Sequence, residues 1–485
     1  MNRNQNLEEY RLPELPQIAP QNFSIADYGA VGDGAALCTA AIQEAIDTCA
    51  AAGGGKVLIP PGIWRTGPLT LRSRINLYAD RGALVLFDSD CSLYPLVSSQ
   101  YEGVADWRCQ APLDGEGLSD VAITGEGIFD GGGEGWRPVK RFKMTDAQWD
   151  QLIASGGALD REAGIWWPSA EAMEGESIYR TLQQQGDTAM ESYLPIRAYL
   201  RPALLSLRNC RQVLLEGPTF QNSPAWCLHP WACEQVTVRN IHVRNPWYSQ
   251  NGDGLDLDSC AYALVEHCRF DVGDDAICLK SGKDEEGRRL GLPCRFITIR
   301  GCTVYHGHGG VVIGSEMSGG VHAVRISDCL FIGTDIGLRF KSARGRGGLV
   351  EDIVAENISM SGIVHEAVSF HMFYAGTEGS EGFDKQSYPV TEETPEFRNI
   401  TLRNINCHGA ATALLINGLP EQPLAGLTVE GLRAAAVQGI VGRYAESLTL
   451  SEIRLQTKET PAIRLHGCGN VQLIDSEGLS IEDGA

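Results

Sequence analysis

The chain has 485 residues, of which 43 % are hydrophobic and 21 % charged, and its 61 acidic against 40 basic side chains leave a formal charge of −21. That balance describes a folded chain with ample core, and it argues against nucleic acid or an anionic membrane as partner. Net charge describes the whole surface, so a basic cleft for an acidic ligand is compatible with it.

Residues Met1 to Pro20 are polar and contain proline, with neither a basic n-region nor an apolar run. They read as an N-terminal tail, and the expected location is the cytoplasm, or a secreted or periplasmic one if a signal segment has been removed. No run of 18 apolar residues marks a membrane span. From Phe23 the pattern is strand, glycine loop over Gly29 to Gly34, then Leu37, Ala41, Ile42, Ala45, Ile46 and Cys49 at helical spacing. The glycine loop lacks the spacing of a phosphate loop. A helix at this place would cap the open end of a stacked repeat.

Strand-like pieces follow at Leu69–Leu71, Ile75–Leu77 and Val121–Ile123. Residues 136–195 then break the pattern as a helical insertion, with Trp136, Trp149, Trp166, Trp167 and Tyr179 forming a small core of their own or offering an aromatic wall to a ligand. From Leu205 onward short apolar-x-apolar pieces recur, as in Val213–Leu215, Val236–Val238, Ala263–Val265, Ile297–Ile299 and Val324–Ile326. Two-residue alternation at this repeat length predicts an all-β solenoid, a parallel β-helix, over residues 21–485 as a single domain. Two longer gaps, after Val265 and after Ala355, predict loops inserted on one binding face.

Chemistry concentrates in Asn251-Gly252-Asp253 and Gly273-Asp274-Asp275, about one repeat apart. Residues one coil apart stack on one face, so Asp253, Asp274 and Asp275 converge, and crowded carboxylates are what glycosidic bond cleavage requires. Asp256 and Asp258 are expected to cap turns. His308 lies between two glycines, which suits close approach to a ligand. Arg339 and Lys341, at i and i+2, share a strand face and suit a carboxylate. Lys280 and Lys283 are further candidates for binding an acidic ligand, with Arg201 and His229 as weaker ones. The 15 cysteines sit in apolar contexts without a CxxC spacing and are expected to be small buried hydrophobes in a reducing compartment. Neither a metal nor another cofactor is expected.

These motifs resemble glycoside hydrolase family 28, the polygalacturonase family. Asn251-Gly252-Asp253 stands where that family has Asn-Thr-Asp, and Gly273-Asp274-Asp275, Gly307-His308-Gly309 and Arg339-Phe340-Lys341 follow in the family's order. The resemblance spans roughly Phe23 to Gly467. It implies a right-handed parallel β-helix, with Asp274 as general acid, Asp253 and Asp275 activating water for inverting hydrolysis, and His308 orienting a carboxylate or the sugar. An acid-to-base separation of roughly 6.5–9.5 Å is then expected. It also implies a galacturonate-containing pectin as partner. Lys280-Ser281-Gly282-Lys283-Asp284 and the stretch Gly314 to Gly320 resemble the bacterial exo-acting branch. The alternatives are a hydrolase of the same family acting on rhamnogalacturonan or decorated pectin, a β-helix pectate lyase using calcium, and a non-catalytic sugar-binding β-helix.

Overall fold

The computed structural model describes residues 11–374, 386–476 and 478–483. Coil after coil adds strands that pair in parallel with the coil below, and three ribbons of strands run the length of the molecule. The first contains Arg211–Glu216, Glu234–Arg239, Ala261–Glu266 and Cys294–Arg300. The second contains Thr219–Gln221, His242–Arg244 and Arg269–Asp271. The third is a sheet of 13 strands from Leu69–Thr70 to Ile481–Asp483. This third sheet carries the acidic motifs and is called here the site sheet. Together they form the expected right-handed parallel β-helix.

Alternation drives the packing: Val213, Leu215, Val236, Val238, Ile297 and Ile299 point inward and are at most 1 % exposed. Cysteines stack inside in the same way. Cys210, Cys233 and Cys260 each precede a first-ribbon strand, and all cysteines but Cys91 and Cys468 are buried. Burial pushes the Cys49 and Cys407 thiols up to about 11, so they are inert small hydrophobes at neutral pH. Each first-ribbon strand is entered through a left-handed residue, with φ of 54° at Gln212, 58° at Gln235, 55° at Tyr262 and 58° at Phe296. These bulky residues give no glycine signal for the corner they form.

The capping helix covers Thr39–Ala51 and buries Ile42, Ala45, Ile46 and Cys49 over the first coil. Leu37, expected within it, instead ends the strand Asp33–Leu37 and is 47 % exposed. Residues 11–20 run along the outside of the coils, where the Glu14 N–H donates to Gln235 Oε1 at 2.8 Å and that of Gln17 to Asp120 Oδ1 at 2.8 Å. No helix among the described residues is long and apolar enough to cross a membrane.

The insertion is not wholly helical. Helices Asp146–Ala154 and Ala170–Gln185 accompany a three-stranded antiparallel sheet of Val139–Lys140, Ile165–Trp167 and Ala158–Asp160. The β-favouring Ile165-Trp166-Trp167 run accounts for the difference. All four tryptophans are buried: Trp149 and Trp166 in the insertion's own core, Trp136 in a core shared with Tyr94 and Leu96, and Trp167 against Tyr199, so they present no face to a ligand.

Candidate active site

Four neighbouring strands of the site sheet, Leu255–Asp258, Asp275–Lys280, Gly309–Ile313 and Ile336–Lys341, form the floor of the site. Their apolar members, including Leu255, Leu257, Ile277, Leu279, Leu338 and Phe340, fill the interior. Phe340 stacks on Phe370 at 4.4 Å, which turns Arg339 and Lys341 outward on either side of it. The loop that delivers Asp253 is pinned from below. Arg201 donates to the Pro224 and Gln250 carbonyls and to Asn251 Oδ1, each at 2.9 Å, and the Asn245 amide donates to the Asp253 carbonyl at 3.2 Å. Glycine is needed at position 273, because a Cβ there would lie 2.4 Å from both the Pro246 carbonyl and Ser249 Oγ. That close approach presses the two acidic loops together.

Asp253, Asp274 and Asp275 converge as expected, each with an oxygen within 4.8 Å of the others. These nearest oxygens are closer than the roughly 6.5–9.5 Å expected between acid and base carboxyl groups, so the spacing itself does not argue for inversion. Lys341 Nζ donates to Asp275 Oδ2 at 2.7 Å, and Arg339 Nη1 stands 3.5 Å from Asp275 Oδ1. The Tyr374 ring lies 5.1 Å from the Lys341 ammonium and 5.6 Å from the Arg339 guanidinium. His308 bridges outward, with Nδ1 3.3 Å from Asp274 Oδ1 and Nε2 3.8 Å from Asp335 Oδ2. The Asp274 side chain is 22 % exposed against 2 % for Asp275, so of that adjacent pair Asp274 faces the cleft.

Charge is distributed unevenly among the three acids. Burial, reinforced by the charges of Asp274 and Asp256, pushes the Asp253 carboxyl far up. Burial also works against ionised Asp274, but the hydrogen bond and charge of His308, backed by Lys341 and Lys143, prevail and hold it below the usual carboxylate range. Burial opposes a charge on His308, and Asp274 overcomes that and raises it. As these groups stand, the proton shared by the cluster rests on Asp253 and not on Asp274.

Lys280 and His229 belong to a second, sealed polar group. The Lys280 ammonium donates to Glu316 at 3.0 Å, lies 3.6 Å from Asp256, and sits 4.6 Å from the Trp226 ring. His229 Nε2 is 3.5 Å from Asp258 Oδ2 beneath the same tryptophan, and only 3 % of His229 is exposed. Asp256 and Asp258 are therefore not turn caps. They lie within a strand, fully buried, and neither oxygen of Asp256 has a hydrogen-bond partner. Burial lifts the Asp256 carboxyl to about 8 although Lys280 opposes it. Lys280 in turn holds Glu316 down at about 2 against the effect of burial.

The site is flanked by an element that the sequence pattern did not reveal. The antiparallel hairpin Leu96–Tyr101 and Val104–Cys109 stands across the site sheet, and Tyr101 stacks on Trp226 at 5.0 Å. Its turn has φ of 51° at Glu102 and 78° at Gly103, the two-residue loop that a glycine between alternating strands could have signalled. The turn seats on the loop after Lys280: the Lys283 N–H donates to the Gly103 carbonyl at 2.9 Å, and the Ala105 N–H donates to Glu286 at 3.1 Å. Lys283 is thus at the seam of this wall. Arg288, on helix Asp284–Leu290, reaches Glu393 at 3.6 Å, so the loops of both long gaps meet on the site side.

A second missed contributor is Lys143. The insertion docks against the acidic loop through Trp149, Trp166, Val139 and Tyr248, and this brings Lys143 Nζ to 3.5 Å from the Gly273 carbonyl, next to Asp274. No local pattern in the sequence marks it.

A triad of carboxylates on the outer face of a parallel β-helix, one of them ion-paired to two cations that lie two residues apart on one strand, defines a class of glycan-cleaving β-helix enzymes. The chain belongs to that class as a member of glycosyl hydrolases family 28, whose model matches residues 189–468. It is similar to a probable polygalacturonase of Vitis vinifera, 28 % identical over 84 % of this chain and 73 % of that protein. It is also similar to the exo-poly-alpha-D-galacturonosidase of Dickeya chrysanthemi, 26 % identical over 90 % of this chain and 72 % of that protein. The exopolygalacturonase of Thermotoga maritima superposes with a TM-score of 0.73 at 28 % identity, over 96 % of this chain and 94 % of its own. The family 28 exopolygalacturonase of Yersinia enterocolitica, 20 % identical over 93 % of this chain and 78 % of its own, shares the fold with a TM-score of 0.72.

Proposed function

We propose that this glycoside hydrolase cleaves α-1,4-galacturonosidic bonds of homogalacturonan or its oligomers, releasing units from one chain end with inversion. The observation that carries the reading is the Arg339–Lys341 pair, set against Asp275 within a cleft whose one end is walled by the hairpin 96–109. An arginine fork beside an ammonium suits a sugar carboxylate, which a neutral glycan lacks. A closed end suits a site that admits a chain terminus and not the middle of a polymer. The same three acids could ligate a cation, but Lys341 already supplies positive charge to Asp275, and family membership supports hydrolysis over elimination.

In this reading Asp274, the member of the Asp274–Asp275 pair open to the cleft, faces the glycosidic oxygen as general acid. Asp253 and Asp275 hold the attacking water, since a molecule hydrogen-bonded to two oxygens at about 2.8 Å each bridges a gap of the size found here. Arrival of a uronate engages Arg339 and Lys341, expels water and disfavours a charge on Asp274, and the cluster proton moves from Asp253 to Asp274. His308 orients the acid. A timed digest of a defined oligogalacturonate, with product size and anomeric configuration followed by proton NMR, tests the whole reading. Inverted saturated mono- or digalacturonate from one end is the expected result. Internal cleavage, retention, or unsaturated ends that disappear with chelator would each overturn part of it.

A further inference from the structure

We infer that Lys143, delivered by the insertion and not by the β-helix, binds the carboxylate of a galacturonate at the scissile bond, opposite the Arg339–Lys341 pair. The inference rests on the polygalacturonase reading and adds to it a specificity residue lying outside the matched family region of 189–468.

Lys143 closes the short helical turn Arg141–Lys143, which follows directly on strand Val139–Lys140. That strand pairs with Ile165–Trp167, and the Arg141 N–H donates to the Gly164 carbonyl at 2.8 Å. Arg141 also donates to the Met144 carbonyl at 3.1 Å and pairs with Asp146, closing the turn on itself. Trp149 and Trp166 pack against Tyr248, three residues before Asn251, so the turn is anchored on the acidic loop. The Lys143 side chain is half-buried, and among the described residues no carboxylate pairs with it and its single hydrogen-bond contact is the Gly273 carbonyl at 3.5 Å.

Around it stand Asp274 and Asp335, whose charges favour its ammonium, and Lys140, whose charge opposes it; burial lowers its proton affinity overall. His308 lies between those two aspartates. An ammonium held there with no ion pair among the described residues, at the rim next to the acid that faces the cleft, is placed for a ligand carboxylate. Arg339 and Lys341 approach from the floor two coils further on, through Asp275. The two sets of cations flank the reacting acids, so the sugars on the two sides of the bond can each find a partner. The insertion thus serves as more than a wall: it sets the demand for acid on one side of the cut.

The test compares wild type with Lys143→Met and Lys143→Arg on trigalacturonate and on trigalacturonates methyl-esterified at a single defined residue. For Lys143→Met, kcat/KM on the acidic substrate is expected to fall about 10- to 100-fold, mostly through KM, with Lys143→Arg recovering much of it. On the substrate whose relevant carboxylate is esterified, wild type and Lys143→Met should differ less than threefold. Unchanged kcat/KM for Lys143→Met, or an equal loss on every esterified substrate, overturns the assignment. Thermal unfolding checks that both variants fold, and the half-buried position with its one long hydrogen bond makes a large shift unexpected. A wild type that neither cleaves nor binds oligogalacturonate would show instead that the polygalacturonase reading is wrong, and the Lys143 assignment would fall with it.

Discussion

Replacing Asp256 by Asn should stabilise the protein, and by an amount that grows with pH. Asp256 is fully buried, both of its carboxylate oxygens lack a hydrogen-bond partner, and its nearest cation, Lys280, is 3.6 Å away and shared with Glu316. Its carboxyl titrates at about 8 in the fold against 3.8 in the unfolded chain. The folded state therefore binds the proton more tightly. Below pH 4 both states are protonated and the group is neutral in the balance. As pH rises from about 4 to 8 the unfolded chain ionises first, so the stability of the wild type falls across that window. The difference between 3.8 and about 8 corresponds to a loss on the order of 5 kcal/mol by pH 8. Asn cannot ionise and escapes that loss. Guanidinium unfolding of wild type and Asp256→Asn at pH 4, 6 and 8 measures it. The variant's advantage is expected to be near zero at pH 4 and several kcal/mol at pH 8. A variant destabilised by the same amount at all three values would refute the argument, because it would mean that Asp256 is ionised and held by Lys280 throughout.

Asp274→Asn should lower kcat by about 10²- to 10⁴-fold with KM changed only a few-fold, as single-turnover kinetics on an oligogalacturonate would show; a fall in KM-linked binding alone would remove Asp274 from the acid role. Lys341→Met should reduce kcat/KM on acidic oligomers by roughly 10-fold or more, and an unaltered ratio of rates on acidic and esterified substrates would count against a carboxylate partner. Shortening the hairpin 96–109 to a tight turn should open the cleft. Viscosity of polygalacturonate should then drop early and mixed oligomers appear, whereas continued release of terminal units would locate the barrier elsewhere.

The β-helix was legible because its cause is local: alternating residues such as Val236 and Val238 must face inward in every coil, and that period repeats along the sequence. The convergence of Asp253, Asp274 and Asp275 follows from the same stacking, as does the outward placement of Arg339 and Lys341 around an inward Phe340. Asp256 lies in a strand and not at a turn, and the signal for that is present: Leu255-Asp256-Leu257-Asp258 alternates like any strand, although the neighbouring glycines also suit a turn. Arg201 lines the underside of the Asn251 loop, a role set by carbonyls at positions 224 and 250 that no motif announces. The hairpin wall and Lys143 were beyond reach for a related reason. Their places depend on docking between segments more than 100 residues apart, such as Gly103 on Lys283 and Lys143 on Gly273, and such pairings leave no period behind.

The floor of this site and its walls are separate inheritances. The floor is fixed by strand register, so shifting the coil that carries Ile336–Lys341 by one residue would turn Arg339 and Lys341 into the interior together. The walls are excursions that leave the coils and return: the hairpin at 96–109, the insertion carrying Lys143, and the loop with helix Asp284–Leu290. They can lengthen, shrink or be exchanged without disturbing a single ladder pairing beneath them. A lineage built on this scaffold is thus free to change where along a polymer it bites, and which decorations it tolerates, while the acids that make the cut stay as they are.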